Sequence, residues 1–195
     1  MRIPFVKAAI PGFLIASRVV LGPALVVLCV LHAPPGGIIA VLAAAMLSDL
    51  FDGIIARRLG IATASIRVAD SRADAWFFLC VGLAACLTAR RILGFYAIPI
   101  LTELLLQIAS YSFDLVRYRR LASLHAYSAK IWGFSLYAAA GALLAYHYGG
   151  LIWVSFAFGI VSFIDSLAIK LILPGWHHDV LSAFHALRRR RTTKP

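Results

Sequence analysis

The chain has 195 residues, of which 62% are apolar and only 14% charged, and its mean hydropathy is +0.89. Soluble domains carry about a quarter charged residues, so the composition excludes an ordinary water-soluble domain and indicates a membrane protein. The net charge of +11, from 19 Lys and Arg against 8 Asp and Glu, reads as topology and contact with anionic lipid, not as nucleic-acid binding, because of where the basic residues lie.

A membrane-spanning helix needs about 20 apolar residues. Apolar runs bounded by Pro, Gly and basic clusters predict six helices, at 12–32, 36–58, 68–89, 92–115, 129–148 and 150–173. The first apolar run outlasts a signal-peptide core and has no convincing cleavage site, so it is read as a retained helix. Lys7 places a short interfacial segment before it. Residues Ala33 to Gly37 predict one tight outer turn, and Tyr148, Gly149 and Gly150 another. Pro174 and Gly175 stop the sixth helix, followed by Trp176 as an interfacial anchor.

With both termini inside, Arg2, Lys7, Arg57, Arg58, Arg67, Arg72, Arg117, Arg119, Arg120, Lys130, Arg188 to Arg191 and Lys194 fall on or near the cytoplasmic side. That is the positive-inside bias, to which Arg90 and Arg91 in an outer turn are the exception. The expected fold is therefore all-α: a polytopic six-transmembrane-helix bundle with both termini cytoplasmic. Residues 1–175 make the membrane domain and residues 176–195 a basic cytoplasmic tail. Cys29, Cys80 and Cys86 lie in apolar stretches and are expected to be buried thiols.

Four of the eight acidic residues are concentrated in one stretch, Asp49 and Asp52 on the second predicted helix and Asp70 and Asp74 on the third. At about 100° per residue, Asp49, Asp52, Gly53, Ala56 and Arg57 share one helix face. The loop to the next helix is short, so the two helices are antiparallel neighbours and their carboxylates can converge. Such carboxylates in an apolar setting repel one another unless a cation stands among them. Hard oxygen ligands, with no nearby His or Cys pattern, favour Mg²⁺ or Mn²⁺ over Zn²⁺. Gly53 and Ala56 remove bulk beside the carboxylates, and Arg57 can meet a phosphate.

The pattern Asp49-x-x-Asp52-Gly53-x-x-Ala56-Arg57, followed by Asp70-x-x-x-Asp74, resembles the signature of the CDP-alcohol phosphotransferases (CDP-alcohol phosphatidyltransferases). Upstream, Pro11, Arg18 and Pro23 sit like the first-helix Pro-Asn-x-Leu-Thr-x-x-Arg segment of that family. The resemblance extends over roughly residues 8–175. It departs from the pattern at Ile66, where the family usually has Gly, and at Gly12 and Ile15, where it has Asn and Thr.

The resemblance implies a phospholipid-synthesising enzyme of the cell inner membrane, its active site facing the cytoplasm. A phosphatidyl group would pass from a CDP-linked donor, CDP-diacylglycerol or a related CDP-alcohol, to an alcohol acceptor, with release of CMP. It implies Asp49, Asp52, Asp70 and Asp74 as metal ligands, with Asp74 also the general base. Arg57 would hold donor phosphate, and Gly53, Ala56, Thr63 and Ile66 would border the CDP donor. The branched side chain of Ile66 would narrow the nucleotide pocket, move the cytidine or mark a changed donor. Arg117 and Lys130 are candidates for binding an acceptor phosphate, against helix-end anchoring as the simpler role.

Glu103, Asp165 and Lys170 are intramembrane charges expected to pair with neighbouring helices or face a cavity. His177, His178 and His185 read as solvated tail residues. Expected partners are membrane lipids and the substrates, with a second copy of the chain as a candidate and no nucleic acid. Two rival readings stand beside the enzyme: a cation-coupled transporter or channel, since membrane carboxylates also line ion pathways, and a catalytically silent relative of the same fold.

Overall fold

The computed structural model describes residues 3–58, 64–118 and 127–172, with the backbone alone at residues 3–11, 53, 56, 57, 64, 65, 67 and 118. The described residues form seven helices and no strand: α1 (Ile3–Val30), α2 (Pro35–Arg58), α3 (Ala64–Thr88), α4 (Arg90–Phe95), α5 (Ala97–Tyr118), α6 (Tyr127–Tyr146) and α7 (Leu151–Ile172). Four stretches within them are long and apolar enough to cross a membrane: Gly12–Val30, Pro35–Asp52, Val68–Thr88 and Leu151–Ile172.

The helix count differs from the six expected because the predicted fourth helix is divided at Tyr96 into α4 and α5. Pro99 accounts for the break. Its ring crowds the carbonyl four residues back, at Phe95 where α4 ends, and it has no N–H to donate. The helix resumes as the Ile100 amide bonds the Tyr96 carbonyl at 3.2 Å. At the N-terminus, α1 already begins at Ile3, so the segment expected before the first helix is helical too.

The turn after α1 closes by a backbone motif, not through Gly36 and Gly37, which lie inside the first turn of α2. His32 takes the left-handed conformation at φ 53°. The His32 amide then bonds the Cys29 carbonyl at 3.1 Å and the Ala33 amide bonds Leu28 at 2.9 Å, the two hydrogen bonds of a Schellman cap. Pro35 starts α2, where a missing N–H costs nothing. His147, at φ 51°, ends α6 in a similar conformation. The chain then passes through Tyr148, Gly149 and Gly150 to α7, as the sequence predicts.

The chain divides into two compact units, residues 1–93 with 140–148 and residues 94–139 with 149–195. In the first, α1 packs against α2 and α3. Each helix presents a buried stripe at helical spacing: Arg18, Gly22, Leu25 and Cys29 on α1; Ile38, Leu42, Ala45 and Ser48 on α2; and Ala73, Phe77, Cys80 and Ala84 on α3. Gly22 sits where a Cβ would lie 2.9 Å from Cys80 Sγ and 3.6 Å from the Phe77 backbone, so its lack of a side chain sets the close approach of α1 to α3. One residue further along α1, Pro23 cannot donate to the Val19 carbonyl. The Trp76 indole N–H does so instead, at 3.2 Å, tying α3 to the same turn of α1.

Cys29 and Cys80 are buried as expected, whereas Cys86 is exposed. It lies on α3 beyond the stripe that Phe77, Cys80 and Ala84 turn towards the other helices, so it faces away from them.

In the second unit α5 packs against α7, and charged side chains find partners there. Lys170 Nζ pairs with Asp114 Oδ1 at 2.8 Å and donates to Ser110 Oγ at 2.7 Å. The Trp132 indole N–H donates to Glu103 Oε1, and Gly159 makes room for this contact, since a Cβ there would run into the same carboxylate. Ser128 Oγ donates to Asp165 Oδ2 at 2.7 Å. The expectation that Glu103, Asp165 and Lys170 would be met by neighbouring helices is what the structure shows.

Both units leave large apolar side chains exposed, among them Val20, Leu79, Leu83 and Leu87 in the first and Leu104, Leu105, Val161 and Ile164 in the second. Surfaces of this kind suit lipid tails and would aggregate in water. The apolar helices are those of a membrane-embedded protein.

Candidate metal centre

The carboxylates that the sequence singles out come together in the first unit, around a residue from another helix. The guanidinium of Arg18, on α1, is fully buried. Its Nη1 donates to Asp49 Oδ1 at 3.1 Å and to Asp74 Oδ1. Its Nη2 donates to Asp70 Oδ1 at 2.5 Å and to Asp52 Oδ2. One cation thus joins two carboxylates from α2 and two from α3. The stripe that ends at Arg18, the close approach at Gly22 and the Trp76 bond to Val19 bring α1 near enough to α3 for the guanidinium to reach all four.

The four carboxylates are not equivalent. The Asp52 side chain is 4% exposed, whereas those of Asp49, Asp70 and Asp74 are 42%, 31% and 34% exposed. The three accessible residues each offer an oxygen within 4.8 Å of the others. Two oxygens bound to one Mg²⁺ at about 2.1 Å lie at most about 4.2 Å apart, so small side-chain adjustments would let the trio share an ion. The donor set is all oxygen, which fits a hard divalent cation. Asp52 lies outside this trio, buried beside Arg18 and sharing Nη2 with Asp70. Among the described residues, four carboxylates face one guanidinium, and a cluster of oxygen donors of one charge suits a further cation.

The other predicted site residues are placed as follows. Gly53, Ala56 and Arg57 occupy the last turns of α2, directly after Asp52. Ile66 is half-buried on α3 one turn before Asp70, so helical periodicity sets it in line with Asp70 and Asp74. Thr63 lies outside the described residues, as do His177, His178 and His185. In the second unit, Arg117 stands over the Phe113 ring at 5.7 Å and Lys130 over the Tyr127 ring at 5.9 Å. Each basic side chain is thus laid along an aromatic of its own helix, as helix-end anchors are.

Two residues that matter to the charge pattern carry little local signal in the sequence. Arg18 stands out there only within the upstream likeness, and Asp114 does not stand out at all. The signal for Arg18 is physical: a lone Arg within an apolar helix must find carboxylates on other helices, and the chain concentrates its carboxylates in one place. Asp114 gave a weaker signal, lying near the basic end of a helix that also carries Glu103.

Among the described residues, helices without strands, apolar spans and a carboxylate cluster packed around Arg18 indicate a helical membrane protein with a site suited to divalent cations. The chain belongs to the CDP-alcohol phosphatidyltransferase family, whose model matches residues 8–161. That span contains Arg18 and all four Asp residues. Comparison with curated proteins and with solved structures yields no match. Family membership and the apolar helices together support a membrane phosphatidyl transferase, in a phosphotransferase family that is generally metal-dependent.

Proposed function

We propose that the protein transfers a phosphatidyl group from CDP-diacylglycerol, or a related CDP-alcohol, to an alcohol acceptor in phospholipid synthesis, releasing CMP. The observation that carries this reading is the convergence of Asp49, Asp70 and Asp74 on a motif stretch that the family match includes. A Mg²⁺ or Mn²⁺ ion held there would neutralise the donor pyrophosphate and polarise the phosphorus that is attacked.

The residues of the chain do the rest. Asp49, Asp70 and Asp74 would hold the cation from the accessible side, with Asp52 the fourth carboxylate of the set. Arg57 holds a donor phosphate, with Gly53 and Ala56 leaving room for the nucleotide against α2 and with Thr63 and Ile66 at its border. Asp74 accepts the proton of the acceptor hydroxyl as its oxygen attacks the phosphorus next to the lipid. The phosphorus–oxygen bond to CMP breaks, and CMP departs with the electron pair. Arg117 and Lys130 remain candidates for an acceptor phosphate.

In the membrane, α4 and α5 together serve as one interrupted crossing, which with α1, α2, α3, α6 and α7 makes six. Both termini are then cytoplasmic, residues 1–175 form the membrane domain, 176–195 form the basic tail, and the site opens to the cytoplasmic face of the inner membrane. The basic residues at Arg57, Arg58, Arg67 and Arg72 support this orientation. A homodimer is compatible with it.

The test is incubation of purified protein in detergent with labelled CDP-diacylglycerol, Mg²⁺ or Mn²⁺ and a panel of alcohol acceptors. CMP release matched by a new lipid is the expected result. Absence of CMP with every acceptor, together with cation flux in vesicles, would favour the transporter reading instead.

A further inference from the structure

The site as proposed assigns roles to the four Asp residues and Arg57, and none to the buried cation at their centre. Arg18 reaches every carboxylate of the cluster through its two terminal nitrogens. A fully buried guanidinium contacted by four carboxylates is more than packing requires, since one partner would satisfy its charge. The positions of Gly22, Pro23 and Trp76 within the next turns of α1 and α3 show that this contact is built into the helix interface. Its Nε is buried without a hydrogen-bond partner among the described residues, so both terminal nitrogens, and not the whole guanidinium, are committed to the cluster.

We infer that Arg18 is a positioning residue, a tethered counter-cation that holds the four carboxylates in register when no divalent ion is bound. Arg18 and a divalent ion then serve overlapping electrostatic purposes. Either one relieves the repulsion among Asp49, Asp52, Asp70 and Asp74, and loss of Arg18 makes the fold of this unit dependent on metal. The inference rests on the reading of the cluster as a divalent-cation centre.

The experiment is thermal unfolding of the full-length protein in detergent, with chelator or with Mn²⁺, for wild type, Arg18→Gln and Arg18→Lys, with Mn²⁺ binding to wild type followed separately by electron paramagnetic resonance. In chelator, Arg18→Gln should melt about 10 °C below wild type, on the scale of breaking a buried charge pair in a protein of this size. Mn²⁺ should recover most of that loss, while raising wild type much less. Arg18→Lys keeps the charge but not the two-nitrogen fork, so in chelator it should melt between wild type and Arg18→Gln, with Mn²⁺ recovering the loss. Adding Asp52→Asn to Arg18→Gln removes one buried negative charge and should raise the melting temperature in chelator, which a lost packing contact would not do. Equal loss with and without Mn²⁺, or no loss in chelator, would overturn the role given to Arg18 while leaving the metal centre standing. Failure of wild type to bind Mn²⁺ would overturn both. If Arg18→Gln cannot be purified, the inference stands or falls on Arg18→Lys: a partial loss in chelator that Mn²⁺ recovers supports it, and no loss, or a loss that Mn²⁺ does not recover, contradicts it.

Discussion

The two units of the chain handle buried charge in opposite ways. In the second, among the described residues, charged groups meet partners on neighbouring helices: Lys170 meets Asp114 and Ser110, Glu103 meets Trp132 and Asp165 meets Ser128. In the first, four carboxylates crowd around one guanidinium, and three of them stay partly open to the outside. Matched pairs hold helices together, and an apolar side chain of similar volume can often replace such a pair. Accessible like charges gathered on apolar helices are costly and are read by default as a functional site. The contrast separates structural charge from functional charge more sharply than position along the membrane helices does.

The strongest way to break this contrast is to neutralise members of each set. Asp49→Asn, Asp52→Asn and Asp70→Asn are each expected to remove most of the transfer activity and to weaken Mn²⁺ binding, whereas Asp165→Asn should do neither. Equal losses in all four, measured as CMP release per folded molecule, would erase the distinction.

Asp74 sharpens it within the cluster, as the proposed base. Asp74→Asn should retain measurable binding of a CDP donor with metal while lowering single-turnover transfer by about 10²-fold or more. Transfer near the wild-type rate in a variant that binds donor would assign proton removal to another group.

Lys170→Met tests the second unit. Removing one member of a buried pair strands the other, at a cost of about 3–5 kcal/mol, so the melting temperature should fall while transfer per folded molecule is kept. The smallest expected effect is at the edge of the site. Ile66→Gly should change the affinity for the CDP donor well beyond any change for the acceptor, and unchanged donor binding would place Ile66 outside the pocket.

The charged cluster was legible in the sequence because its spacing is helical: Asp49 with Asp52 on one face, Asp70 with Asp74 one turn apart, and a short loop between their helices. The long apolar runs were legible by composition alone. What escaped depended on contacts between helices that no local pattern encodes. Arg18 lies more than thirty residues before the nearest of its carboxylates, and its meaning appears only once α1 is packed against α2 and α3. The break at Tyr96 was hidden by a continuous apolar run, although Pro99 carried the physical reason for it. The exposure of Cys86 and the pairing of Asp114 with Lys170 were hidden for the same reason, since which face of a lipid-bathed helix turns inward is poorly marked when both faces are apolar.

The central claim is that the clustered carboxylates of the first unit form a divalent-cation centre and the separately partnered charges of the second do not. Titration of purified protein with Mn²⁺, followed by electron paramagnetic resonance, tests it most directly in wild type, Asp70→Asn and Asp114→Asn. The account predicts saturable binding in wild type and in folded Asp114→Asn, and its loss or strong weakening in Asp70→Asn. Binding unaffected in Asp70→Asn, or weakened equally in both variants, would contradict it.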